Sequence, residues 1–142
     1  MTVAAILARK GRDVLTTTAT KTIAEAVQVL AKRRIGALVV VEGNDRIVGI
    51  VSERDIVRAI AAGIEALDQP IESIMTRTVM TCAESETINE MMARMTRGRF
   101  RHVPVAADGR LVGIISIGDV VKARIEEVER EAEEMRTYIA SA

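Results

Sequence analysis

The chain carries one stretch of sequence twice, and that repetition limits its possible folds more than any other feature. VLTTTATKTIAEAVQVLAKRRIGALVVVEG (residues 14–43) lies over VMTCAESETINEMMARMTRGRFRHVPVAAD (79–108) at an offset of 65 residues. Val14 meets Val79, Thr16 meets Thr81, Thr22-Ile23 meets Thr87-Ile88 and Glu25 meets Glu90. After a one-residue slip, RIVGIVSERDIVRA (46–59) lies over RLVGIISIGDVVKA (110–123). The slip falls between EGNDR and AADGR, where an insertion in a hairpin turn is cheap. What one copy folds into, the other must fold into as well.

Each copy spells the same order of elements. An extended entry (14–17 and 79–82) leads to a hydroxyl-rich helix start, Thr20-Lys21-Thr22 or Ser85-Glu86-Thr87, where a hydroxyl can cap the first turn. Glu25 and Glu90 sit favourably near the positive end of that helix. Ile23, Ala26, Val27 and Leu30 form one face of it, and Ile88, Met91, Met92 and Met95 form the matching face. ALVVV (37–41) or HVPV (102–105), a tight turn, and RIVGIVS or RLVGIIS make a hairpin. A second helix begins near Asp55 and near Asp119. The expectation is a mixed α/β fold of two β-α-β-β-α halves, each with an open sheet face that the other covers. Half of 142 residues buries too little apolar surface to be comfortably stable alone, so the halves belong to one compact unit. The expected divisions are 1–66, 67–125 and an extension over 126–142.

That extension departs from the repeat. From Asp119 to about Ile139 the chain reads without Gly or Pro, and Val121, Ile125, Val128, Ala132, Met135 and Ile139 recur at steps of three and four. The remaining face is charged. This is an amphipathic helix of about five turns. It either packs along its own core or makes a dimer contact, because the stripe outlasts the second repeat.

Composition removes several functions. Twenty basic residues balance twenty acidic ones, so no global field holds a polyanion. Phe100 and Tyr138 are the sole aromatics, too few to stack single-stranded nucleic acid. Cys82 is the one cysteine, which excludes an internal disulfide and suits a reducing compartment, so the expected location is the cytoplasm. No apolar run approaches the roughly 18 residues of a membrane span. His102 is the one histidine, which leaves no multi-histidine metal site. There is no phosphate-loop motif, and neither repeated serine lies in a nucleophile-elbow pattern. The chain is not expected to be an enzyme.

What remains is a Ser and an Asp three residues apart at the same strand-to-helix junction in both copies: Ser52 with Asp55, and Ser116 with Asp119. Unpaired N–H groups and a hydroxyl at such a junction favour a phosphate, and a carboxylate one turn later accepts hydrogen bonds from a cis-diol. The pair therefore suits a ribose phosphate. The same spacing is also an ordinary helix cap with an acid in its first turn.

The doubled pattern resembles a pair of CBS motifs, the cystathionine β-synthase type regulatory repeat, together called a Bateman module. The residues that carry the resemblance are Thr16 and Thr81, IGALVVV (35–41) with FRHVPV (100–105), and RIVGIVSERD (46–55) with RLVGIISIGD (110–119), and it covers about residues 1–125. It implies halves packed sheet to sheet about a pseudo-two-fold axis, with two clefts for adenosine ligands: AMP, ADP, ATP, NAD or S-adenosylmethionine. Asp55 and Asp119 would hold ribose hydroxyls, and Ser52 and Ser116 would hold ribose or α-phosphate. Thr16 to Thr18 with Gly36, Ala37 and Leu38 would face Ser116 and Asp119. Thr81 to Ala83 with Arg101, His102 and Val103 would be the counterpart beside Ser52 and Asp55. Such modules also pair as a flat homodimer disc and report to a regulated partner protein.

The copies are not equivalent. Arg101 and His102 add charge where the first half has Gly36 and Ala37, and a basic pair near Ser116 and Asp119 suits a phosphate. Gly118 would let a ligand approach closely, whereas Arg54 would contact phosphate or block its cleft. The Asp119 cleft is therefore the better expected nucleotide site. Lys21 is a further candidate phosphate contact, with a solvated lysine as the plain alternative.

Overall fold

The computed structural model describes residues 1–141, apart from the side chain of Ile64; residue 142 of the expected extension lies outside the described residues. In chain order the elements are α1 (Val3–Lys10), β1 (Thr16–Thr17), α2 (Ile23–Arg33), β2 (Ala37–Glu42), β3 (Arg46–Ser52), α3 (Glu53–Ala62), α4 (Ile88–Gly98), β4 (His102–Ala107), β5 (Arg110–Ser116) and α5 (Ile117–Ser141). Two 3-10 turns, Ile64–Asp68 and Ile71–Ser73, join the halves.

Local chemistry sets these boundaries. Thr22 accepts a hydrogen bond from the Glu25 N–H at 3.2 Å while Glu25 accepts one from the Thr22 N–H at 2.9 Å, a reciprocal cap that starts α2. Thr87 caps α4 through the Glu90 N–H at 3.2 Å. Both helices stop at an arginine in the left-handed region, Arg34 (φ 54) and Arg99 (φ 58). The one-residue slip is a difference in turns. Gly43 to Asp45 separate β2 from β3, whereas only Asp108 and Gly109, both at positive φ, separate β4 from β5. Each hairpin carries one bulge, between Val40 and Val41 and between Val105 and Ala106.

The entry strand forms in the first half, where Thr16 and Thr17 pair in parallel with Val39 and Val40. In the second half it shrinks to a single bridge from Cys82 to Val105. The two hairpins join into one five-stranded sheet of order β1-β2-β3-β5-β4. The join is narrow: Arg46 opposite Arg110, with Leu111 N donating to the Asp45 carbonyl at 2.9 Å and Ile47 N to the Gly109 carbonyl at 3.3 Å.

Two apolar clusters fill the halves, and each is completed by chain from outside its own repeat. α1 precedes the aligned stretch of the first copy (14–59) but packs Val3, Ile6 and Leu7 with Ile88, Met91, Met95, Val103 and Ile115 of the second. Ile71 and Met75 precede the aligned stretch of the second copy (79–123) but pack with Ile23, Leu30, Leu38 and Val51 of the first. The crossings mirror one another. Val3 N donates to the Glu86 carbonyl at 2.8 Å, as Ile71 N donates to the Lys21 carbonyl at 2.8 Å. A Cβ on Gly113 would meet Leu7 Cδ2 at 2.8 Å, and one on Gly49 would meet Met75 Sδ at 2.6 Å. Each glycine is bare because the crossing segment presses on the strand there.

Candidate functional site

Ser52 ends β3 and caps α3, and Ser116 ends β5 immediately before α5. Asp55 N donates to Ser52 Oγ at 3.3 Å, and Asp55 Oδ2 accepts from Ser52 N at 2.8 Å and from Ser52 Oγ at 3.0 Å. In the second copy, Asp119 N donates to Ser116 Oγ at 3.1 Å and Asp119 Oδ2 accepts from Ser116 N at 2.8 Å. The capping role of the motif is thus realised twice. It employs Oδ2 of each acid and leaves Oδ1 outside these bonds.

The second site holds a cation that the first does not. Lys10, the last residue of α1, donates to Asp119 Oδ2 at 2.7 Å and to the Ile114 carbonyl at 3.0 Å. Burial pushes the Asp119 carboxyl up, but the hydrogen bonds from Lys10 and Ser116 outweigh it and hold the group below the usual carboxylate range. Lys10 lies upstream of the repeat, so alignment of the two copies gives no sign of it.

His102 joins the two halves. A Cβ on Gly36 would meet its Cε1 at 2.9 Å and would stand 3.9 Å from Glu53 Cδ. Gly36 is therefore the position that must stay bare, while a Cβ on Gly118 would meet only Ser116 Oγ at 3.6 Å. Burial, followed by the Arg101 charge, lowers the His102 pKa from 6.5, against the smaller pull of Glu53 and Asp119. The imidazole is thus neutral at pH 7, and the positive charge here comes from exposed Arg101 and from Lys10, not from a basic pair.

The remaining expected residues divide by burial. Leu38 and Val103 are fully buried and Ala37 nearly so, which leaves their backbone alone for a ligand. Thr16, Thr18, Lys21 and Arg54 are exposed. Thr81 and Ala83 line a cavity of about 550 Å³ with Arg77, Arg94, Asp108 and, from the first half, Ile47. It opens toward the hairpin turns, and neither Ser52 nor Asp55 lines it. Arg94 spans it by pairing with Glu86 and donating to the Thr81 carbonyl at 2.9 Å. Burial, with Glu86 adding to it, pushes the Cys82 thiol up to about 12.

Among the described residues no cluster of three or more His, Cys, Asp or Glu is placed to hold a metal, and no helix is long and apolar enough to cross a membrane.

Doubled Ser–Asp strand exits on two mirrored halves define a class, and comparison with known proteins agrees. CBS domain matches cover residues 4–62 and 71–126, so the chain belongs to the CBS domain family. It is similar to a CBS-domain containing protein of Agrobacterium tumefaciens, at 48% identity over 87% of this chain and 99% of that one, with a TM-score of 0.83. A CBS domain pair solved with 5′-methylthioadenosine and S-adenosyl-L-methionine is 30% identical over 89% of this chain and 98% of its own, with a TM-score of 0.79. A CBS domain protein of Pyrobaculum aerophilum complexed with AMP is 34% identical over 84% and 89%, with a TM-score of 0.75. Among curated relatives, the chain spans 63% of an uncharacterised Acidianus ambivalens protein and 24% of an Arabidopsis thaliana CBS domain-containing protein.

Proposed function

We propose that the chain is a regulatory, non-catalytic module that takes up an adenine nucleotide between its halves and reports occupancy through their relative arrangement. The observation that carries this reading is the pair of strand-exit carboxylates. Each is fixed by its serine through Oδ2, with Oδ1 left to accept from a ribose cis-diol. The relatives solved with AMP and with S-adenosyl-L-methionine support an adenosine ligand, since both molecules carry that group. ATP, ADP and NAD carry it too. Arg101 and Lys10 are the cations near the second site. Ligand that binds one arrangement of the halves better than another shifts the population between them. The reading includes a homodimer, a regulated partner protein and, from the single buried thiol, a cytoplasmic location.

Calorimetric titration with AMP, ATP, NAD and S-adenosylmethionine tests this, run on wild type beside Asp55→Ala and Asp119→Ala. Loss of a charge-assisted hydrogen bond predicts a fall of about tenfold or more in affinity for at least one variant. Absence of heat with every ligand at millimolar concentration would sink the reading. The Lys10–Asp119 ion pair favours a second reading in that event: a protein-interaction module whose clefts are vestigial and internally satisfied.

A further inference from the structure

α5 keeps one apolar stripe away from its own core. Its inward side is Val120 and Ala123, both buried. One turn on, Glu126 and Glu127 hold the N-terminal segment through Arg9 and the Met1 ammonium. A different side carries Val121, Ile125, Val128, Met135 and Ile139, which are 41–67% exposed. At about 100° per residue the two sides lie roughly a third of a turn apart. With Ala132 in line, the stripe is a heptad pattern: Ile125, Ala132 and Ile139 at a, Val121, Val128 and Met135 at d.

The flanking charges select the partner. Lys122, Glu129 and Arg136 fall at e, and Arg124, Glu131 and Tyr138 at g. In two parallel, in-register helices each g residue faces the e residue five positions on in the other helix. That sets Arg124 against Glu129 of the second copy and Glu131 against Arg136 of the second copy, and symmetry makes each pair twice. An antiparallel pair in full overlap sets Glu129 against Glu129, Glu131 against Glu131 and Lys122 against Arg136, all like-charged. An antiparallel pair displaced by one heptad brings Lys122 to Glu129 and Arg124 to Glu131 but leaves Met135 and Ile139 uncovered, so the pattern complements itself over the whole stripe in the parallel orientation only.

We propose that α5 pairs with α5 of a second copy of this chain as a parallel, in-register two-stranded coiled coil. Nearly three heptads is short for an isolated coil, but α5 is already ordered here because Val120 and Ala123 anchor its start in the core. The arrangement places both CBS bodies at the same end of the coil. It gives a geometry to the homodimer in the proposed function and needs no nucleotide.

Light scattering checks the oligomeric state against the chain mass of 15.4 kDa. A doubled mass at tens of micromolar is expected, falling to monomer for the double variant Ile125→Asp, Met135→Asp with unchanged circular dichroism. Glu131→Arg should weaken the dimer roughly tenfold, and adding Arg136→Glu should restore it. Orientation is read by cross-linking. With oxidised glutathione taking up the two electrons, Ile139→Cys chains should join to each other, while Cys82 stays buried. A monomeric wild type, a dimer indifferent to the aspartates, or preferential joining of Val121→Cys to Ile139→Cys chains would overturn the inference. Each of those results leaves the calorimetry untouched, so failure of the coil and failure of nucleotide binding are separate outcomes.

Discussion

Asp55 and Asp119 occupy the same place in the repeat, one residue type at one strand exit, capped by the same serine. Around Asp55 the charges are those of its own motif. Its Oδ2 takes the Ser52 hydroxyl and N–H and nothing from upstream. Around Asp119 the surroundings are borrowed. Lys10 arrives from α1, while His102, from Asp119's own hairpin, leans across to Gly36 of the other half. A duplicated motif thus fixes the backbone of both sites, whereas the charge that holds Asp119 low comes from Lys10, outside the duplicated stretch. Equivalent geometry does not mean equivalent affinity.

The comparison can be broken most forcefully in the cores. Leu7→Ala should cost about 3 kcal/mol and Met75→Ala about 2 kcal/mol in urea denaturation, since both truncate side chains that plug the opposite half. A cost below about 1 kcal/mol for Leu7→Ala would mean that α1 merely rests on the surface. Next comes the contact across the halves. Gly36→Val should destabilise by about 2 kcal/mol through collision with His102, and His102→Ala should recover much of it. Gly118→Ala, where the added methyl meets only Ser116 Oγ at contact distance in the first turn of a helix, should instead stabilise by up to about 0.5 kcal/mol. Equal effects at the two glycines would erase the distinction. Lys10→Met should cost under about 1 kcal/mol, because the pair is partly solvated, while carboxyl NMR shows Asp119 titrating higher. The smallest effect is in pH. His102 titrates lower in the fold than its ordinary 6.5, so the unfolded chain binds more protons and stability falls as pH drops below 6.5. His102→Gln should flatten that slope. Asp119, held low, acts in the same direction further down, its stabilisation lost as pH falls below 3.8 and through the folded value.

Much of the architecture was legible in the residues because it is local. Thr22 with Glu25, Thr87 with Glu90, and the Asp108-Gly109 turn each state their conformation within four positions. Alternation in RIVGIVS and RLVGIIS places the hairpin strands, and Ser–Asp spacing places the caps. What escaped is long-range. α1 contains an apolar face but nothing in VAAILARK says which half it covers, so its role in the core and the position of Lys10 were hidden together. The narrow Arg46–Arg110 join depends on two turns meeting, and no short stretch encodes that. The entry strand shrinks to one bridge around Cys82 because Pro104 stands where the first hairpin has Val39, and a proline has no N–H to donate to the parallel ladder. His102 read as a cation from its neighbour Arg101, but burial makes it neutral at pH 7.

The crossed leaders have a consequence for how such a chain can be divided. A cut between Ala62 and Ile71 falls where the repeat boundary invites it, yet it would strand each stopper on the wrong fragment: Leu7 with the first piece, Met75 with the second. Neither piece would close its own interior. The same threading ties the halves together twice over, so turning one half relative to the other must carry α1 and the Ile71–Met75 segment with it.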